Sequence, residues 1–170
     1  DVRTLLEFRR VLFRSCVMGY RSDVVAIFYA TDVLMIDDSE AKAKEFNERN
    51  RAKLKLFVEE NFPKYWRGTG NELDDHLTML EGDDGRIRRL IFKFKADNIK
   101  WYEGYPEVIA FEQFWDKFRD LVDTEEEGND PCDWAAEFIR LGENTEDIEE
   151  KSIGDSDWLL QVNRYIETNY

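Results

Sequence analysis

The stretch HLTMLEGDDGRIRRLIFKFKA, His76–Ala96, carries the pattern that decides the fold of this chain. Two apolar-rich arms flank Gly-Asp-Asp-Gly at 82–85, and a short turn of Gly and Asp between two such arms is typical of a β-hairpin. In the second arm apolar residues alternate with basic ones: Leu90, Phe92 and Phe94 with Arg89, Lys93 and Lys95. Because successive side chains of a strand point to opposite faces, the alternation predicts a sheet with one buried face.

The residues before the hairpin predict a strand and a helix. DVVAIFYA, Asp23–Ala30, is a run of β-branched and aromatic residues, which favours a strand. A helix is expected from about Ser39 to Glu60, because Asp37 and Glu40 have capping-box spacing, with Ser39 as a competing N-cap. The apolar stripe of this helix is loose and consists of Ala43, Phe46, Leu54, Phe57 and Val58.

The residues after the hairpin predict a second helix and further strands. The helix is expected to begin near Pro106, since proline is favoured at the first helical position. Its apolar residues have the clearest helical period in the chain: Val108, Phe111, Trp115, Phe118 and Val122. Alternating apolar residues predict a strand from Trp134, a short strand at about 148–153 and a last strand from Trp158.

The predicted order is β-α-β-β-α-β with one or two extra strands. We therefore expect a single α+β domain over residues 18–170, a two-layer sandwich in which two helices cover a mainly antiparallel sheet of ferredoxin-like type. No repeat, low-complexity tract or linker divides the sequence.

Charge limits the classes of partner. The 170 residues carry a net charge of −14, and residues 121–170 contain 15 acidic residues against three basic ones. Binding to nucleic acid or to an anionic membrane depends on Lys and Arg that neutralise phosphates, so neither is expected. No run approaches the roughly 18 apolar residues of a membrane-spanning helix. The charge suits a basic protein partner, or simply a well-solvated surface.

The N-terminal stretch LEFRRVLFRS, Leu6–Ser15, differs from the rest in being basic and apolar. Its apolar run is too short for a signal peptide and too evenly spread for an amphipathic arm, but it resembles a translated sequencing adapter. We interpret residues 1–17 as a non-native extension of a gene predicted from environmental DNA. With Met18 as the start, Cys132 is the one remaining cysteine, which indicates a reducing, cytoplasmic setting.

Residues that could carry catalysis or bind a metal are scarce. His76 is the only histidine and has no cysteine or second histidine to complete a zinc set. Cys132 follows Pro131 in an acidic loop, where neighbouring carboxylates disfavour a thiolate. We therefore expect no catalytic residue, no metal site and no cofactor.

Two stretches are candidate binding surfaces. KWYEGYPE, Lys100–Glu107, crowds three aromatic residues into a loop: Trp101, Tyr102 and Tyr105. Aromatic loop residues can form a recognition surface, and they can equally close the end of a core. The late stretch ENTEDIEE adds the acidic candidates Glu146, Asp147, Glu149 and Glu150.

Three stretches, MGYRSDV, KWYEGYPEV and EFIRLGENTEDIEE, resemble a group of small proteins encoded by phages and prophages. This resemblance covers most of 18–170 and implies a viral accessory protein in a bacterial cytoplasm. It brings no activity, cofactor or catalytic residue with it.

Two functions remain at this point. The favoured one is a non-enzymatic interaction module that binds a basic host or phage protein, in a stronger form as a DNA mimic with a continuous row of carboxylates. The alternative is a small-ligand sensor or enzyme with a pocket near Trp101–Tyr105.

Overall fold

The computed structural model describes residues 20–33, 40–66, 76–83, 88–123, 133–144, 146–157 and 159–162, which contain five strands and two helices. The strands are β1 (Ser22–Thr31), β2 (Leu77–Asp83), β3 (Arg88–Ile99), β4 (Trp134–Gly142) and β5 (Ile148–Ile153). The helices are α1 (Glu40–Asn61) and α2 (Pro106–Asp123), and a short 3-10 turn (Lys64–Trp66) follows α1. The hairpin, both helices and the short strand at 148–153 are confirmed.

The strands form one antiparallel sheet in the order β2-β3-β1-β4-β5. β1 lies at the centre, with Phe28 opposite Phe92 of β3 and Ala136 of β4. The predicted α+β class, with an antiparallel sheet and two helices, is therefore confirmed. Residues 159–162, at the start of the predicted last strand, form no strand, while Trp158 and the residues after 162 lie outside the described part.

Aromatic side chains fill the core between the sheet and α2. The ring of Phe28 meets Phe114 edge-on at 4.9 Å between centroids and Phe118 at 5.3 Å. Such edge-to-face pairs add to the free energy gained by burying each ring. Of the predicted periodic residues of α2, Val122 is partly buried and four are buried: Val108, Phe111, Trp115 and Phe118. Phe114, which is not in the predicted set, is buried as well.

α1 covers the same face of the sheet with a weaker apolar stripe. Leu54 and Val58 are buried, whereas Phe57 is only partly buried and stacks on Phe114. Asn47, which lies outside the predicted stripe, is buried because its amide group hydrogen-bonds both backbone groups of Val33.

The opposite face of the sheet carries a smaller apolar cluster. Ile27, Tyr29 and Ala135 are buried there, and Leu160 packs against them. Ser156, Asp157, Leu159 and Leu160 therefore lie on the face of the sheet that the helices leave open. Among the described residues, neither helix is long and apolar enough to cross a membrane.

Candidate functional site

The three predicted aromatic residues divide between core and surface. Trp101 is half-buried, stacks on Trp66 at 6.0 Å and meets Phe111 edge-on at 5.3 Å. Tyr102 and Tyr105 pack against each other at 5.1 Å, and 37% of the Tyr105 surface is exposed. Trp101 thus closes one end of the core, while the two tyrosines lie at the surface.

The four predicted acidic residues lie at or on β5, the edge strand beside β4. Glu146 is exposed in the turn before the strand, and Asp147 is half-buried. Because side chains alternate along a strand, Glu149 lies on the helix-covered side of the sheet and Glu150 on the other side. These four residues therefore do not form a row on one face, which is what a DNA mimic built from them would need.

Arg140 and Lys151 neutralise the acidic residues on the helix-covered side. The Arg140 guanidinium donates both terminal nitrogens to Asp147, at 3.0 and 2.8 Å, and its Nε to Glu149 at 3.0 Å. The Lys151 ammonium lies 2.8 Å from Glu149 and 3.2 Å from Glu112 of α2. This network joins β4, β5 and α2 through charge-assisted hydrogen bonds.

Protonation in the network follows from these contacts. Burial raises the pKa of Glu149, but hydrogen bonds from Lys151 and Arg140 outweigh it, so the pKa lies below the ordinary 4.5. Burial lowers the pKa of Lys151, but Glu149 and Glu112 together bring it above the ordinary 10.5. Both groups are therefore charged at neutral pH.

A groove of about 450 Å³ lies between α2 and the strands β4 and β5, and it brings the two predicted stretches together. Trp101 and Glu149 both line it, and Val108 and Ile109 add apolar wall. Its charged lining residues are the carboxylates Glu103, Glu112, Asp116 and Glu149 and the cations Arg140 and Lys151. The groove therefore combines an apolar wall with four carboxylates and two cations. Glu112 and Glu149 pair with Lys151 and Arg140, and Asp116 pairs with Arg119 at 2.6 Å. Among the described residues Glu103 is then the lining carboxylate left to meet a cationic group that carries an apolar stem.

Glu137 of β4 is a buried carboxylate that the sequence pattern does not indicate. It is 4% exposed and lies on the helix-free face, out of phase with the buried residues Ala136 and Phe138. Four groups donate to it: the hydroxyls of Ser156 (2.7 Å) and Tyr29 (3.1 Å) and the backbone N–H groups of Leu159 (3.0 Å) and Leu160 (2.7 Å). Its burial depends on a segment about twenty residues further along the chain, so no local pattern could have shown it.

A second cavity, of about 210 Å³, opens beside Glu137 on the helix-free face. Ile139 and Leu160 give it apolar walls, while Glu150 and Ser152 of β5 form its rim. Most of the residues that line this cavity lie on the face opposite the groove, but Phe138 and Lys151 line it too, and Lys151 lines both the cavity and the groove.

No group of three potential ligands among the described residues is placed to hold a metal ion. The His76 ring packs edge-on against Trp66 at 5.5 Å, and its Nδ1 lies 2.9 Å from the Lys95 carbonyl oxygen. Cys132 lies outside the described residues.

Comparison of the chain with protein-family models, with curated proteins and with solved structures finds no match. The function is therefore inferred from the geometry and the charge of the site itself.

Proposed function

We propose that this chain is a non-enzymatic, acidic protein-interaction module that binds a basic segment of a partner protein. The observation that carries the proposal is a groove that is lined by both Trp101 and Glu149, from separate stretches, and by more carboxylates than cations. A lysine or arginine side chain fits such a site, since its stem can pack on apolar wall while its head meets carboxylates.

The charge of the whole chain supports a basic partner. A net charge of −14 attracts a basic surface over distances up to the Debye length, about 10 Å at 0.1 M salt. We propose a bacterial host, which the resemblance to phage and prophage proteins supports. We propose the cytoplasm as the site of action, which the single cysteine of 18–170 supports. The partner is then a host or a phage protein.

A pull-down from bacterial lysate with paired variants tests the proposal. Glu103→Gln/Glu112→Gln removes two carboxylates from the groove, and Glu48→Gln/Glu60→Gln removes two exposed carboxylates of α1 that do not line it. We expect a partner that elutes with salt, is lost with the groove variant and is retained by the α1 variant. Equal retention by both variants, or a complex that resists salt, would contradict a charge-driven groove.

A small cationic ligand is the second candidate occupant of the groove. The volume of the groove, about 450 Å³, lies within the roughly 300–1,000 Å³ range of ligand sites. Calorimetric titration with spermidine, using the same two variants, distinguishes this candidate. Binding that depends on Glu103 and Glu112, together with no protein captured from lysate, would favour a sensor of small cations.

We also propose a ferredoxin-like relationship for β1–β4 and the two helices, with β5 as an addition beside β4. The chain order β-α-β-β-α-β and the sheet order β2-β3-β1-β4 support it. The packing of both helices on one face of the sheet also supports it.

A further inference from the structure

We infer that the partner binds as an extended strand that adds to the outer edge of β5, with basic side chains facing the groove and aliphatic ones facing the second cavity. This inference rests on the proposed function and specifies the form and the chemistry of the partner segment. Strand addition uses backbone hydrogen bonds for affinity and pockets for alternate side chains for specificity.

The outer edge of β5 has backbone groups available for pairing. The Gly142 N–H donates to the Asp147 carbonyl at 2.8 Å, so this pair is a hydrogen-bonded one in the β4–β5 ladder. Hydrogen-bonded and non-hydrogen-bonded pairs alternate in an antiparallel ladder, so three residues of β5 turn their backbone groups outward. These residues are Ile148, Glu150 and Ser152.

Within the described residues, those outward groups have one partner, the carbonyl of Glu146, which accepts from the Ile148 N–H at 3.1 Å. The side chains of all three residues are exposed, so the edge is open to solvent. β5 also lacks the proline and the bulge that commonly protect edge strands.

The two cavities give the added strand its side-chain pattern. Of the residues of β5, Glu149 lines the groove, Glu150 and Ser152 line the smaller cavity, and Lys151 lines both. Because side chains of a strand alternate between faces, consecutive residues of an added strand would enter the two cavities in turn. The carboxylate-rich groove suits Lys or Arg, and the walls of Ile139 and Leu160 suit an aliphatic residue.

Glu149 and Glu150 lie on opposite sides of β5, and this arrangement is consistent with the addition of a strand beside β5. A partner that docks on one face meets only half of them, whereas a strand beside β5 passes both Glu149 and Glu150. The six residues of β5 span roughly 20 Å, about the length of a six- or seven-residue segment.

The probe for the test is a fluorescein-labelled peptide KVKTKVK, in which lysine alternates with aliphatic or hydroxyl residues. We expect it to bind the full chain in fluorescence anisotropy, more weakly as salt is added. A peptide KKVVKKT of the same composition should bind at least about tenfold more weakly, because its basic and apolar residues do not alternate.

Two N-methylated versions of KVKTKVK test the backbone bonds on the unmodified protein. One is methylated at the lysines and the other at the residues between them, so each loses the N–H donors of one edge only. In an antiparallel addition the residues between the lysines face β5, and their methylation should weaken binding about tenfold or more. Equal affinity of both methylated peptides and the parent would overturn the inference.

Variants at Ser152 test the same contact from the side of the protein. Ser152→Pro removes an outward N–H without changing the charge, and Ser152→Ala is the matched control. We expect about fivefold weaker binding for the proline variant and unchanged binding for the alanine variant. Equal binding by both variants would contradict strand addition; should the proline variant fail to fold, the methylated peptides decide.

The proposed function can be judged separately from this inference. Peptides that bind equally well with and without N-methylation, but only at low salt, would exclude strand addition and leave the acidic groove in place. Failure of KVKTKVK to bind at low salt would also overturn strand addition, while the lysate experiment with the groove variant still tests the proposed function.

Discussion

At the scale of single residues, the position of Glu137 has the largest consequence for stability. A carboxyl group is rarely buried unless its oxygens are hydrogen-bonded, and that of Glu137 is surrounded by donors from Tyr29, Ser156 and the backbone of 159–160. The Tyr29 hydroxyl in turn accepts from the Asp157 N–H at 2.8 Å, and burial raises the pKa of this tyrosine to about 12. Glu137 therefore fastens the segment after β5 to the sheet.

We expect Glu137→Gln to lower the free energy of unfolding by about 2–4 kcal/mol. The substitution keeps the shape of the side chain but replaces one acceptor by an NH₂ group, which faces donors and leaves them unpaired. Urea denaturation measures the change. Glu150→Gln is the matched control, since this residue is exposed on the same face, and it should change stability by less than about 0.5 kcal/mol. Equal changes in the free energy of unfolding for the two variants would mean that the hydrogen bonds of Glu137 do not stabilise the segment after β5.

Gly142 is required by the close contact between the Tyr20 hydroxyl and Asp147. A Cβ atom at Gly142 would overlap both the Asp147 carboxylate and the Tyr20 oxygen. Gly142→Ala should therefore displace Asp147 from Arg140 and cost about 1–3 kcal/mol in thermal or urea unfolding. Gly104→Ala is the control, because nothing lies within 4 Å of its Cβ position. A neutral Gly142→Ala would show that the cluster adjusts without loss.

At the scale of elements, prediction succeeded where the apolar period is regular. α2 buries four of the five residues that its period indicates and partly buries the fifth, Val122, and β5 begins and ends at the expected positions. α1 is less predictable, because Asn47 is buried through bonds to Val33 that no periodicity contains. β3 continues to Ile99 past a bulge in which Asn98 has a φ of 55° and donates its N–H to Asp23.

The ion pairs that join β4, β5 and α2 predict how stability depends on pH. Since the folded-state pKa of Glu149 lies below 4.5, its contribution is fully present above the unfolded-state value and is lost as the pH falls through the folded-state value. The difference in unfolding free energy between the wild type and Glu149→Gln should therefore be largest near neutral pH and shrink at acidic pH. Urea denaturation over a pH series measures it, and a difference that stays constant down to about pH 3 would contradict the network.

At the scale of the whole molecule, Tyr20 and Arg21, the first described residues, contact the turn between β4 and β5. The Tyr20 hydroxyl donates to Asp147, and the Arg21 backbone N–H donates to Glu143 at 2.8 Å. The proposed non-native segment 1–17 lies outside the described residues, and the sequence interpretation of this segment stays a prediction.

Deletion of residues 1–17 should leave the free energy of unfolding within about 0.5 kcal/mol of that of the full chain. Deletion of residues 1–21 is the comparison, because it removes the contacts of Tyr20 and Arg21 and should lower stability measurably. Both can be read from urea denaturation monitored by tryptophan fluorescence. A large loss on deleting 1–17 alone would mean that this segment belongs to the fold.

The α+β class, the helices, the hairpin and the short acidic strand follow from the sequence by itself, because apolar periods and turn residues act within each segment. Only the tertiary structure decided that Trp101 and Glu149 line one groove, that Glu149 and Glu150 lie on opposite faces, and that Glu137 is buried. Each depends on which strands lie side by side and on which face a distant segment crosses. Such long-range contacts have no local signature, since their free energy is gained only once the sheet has formed.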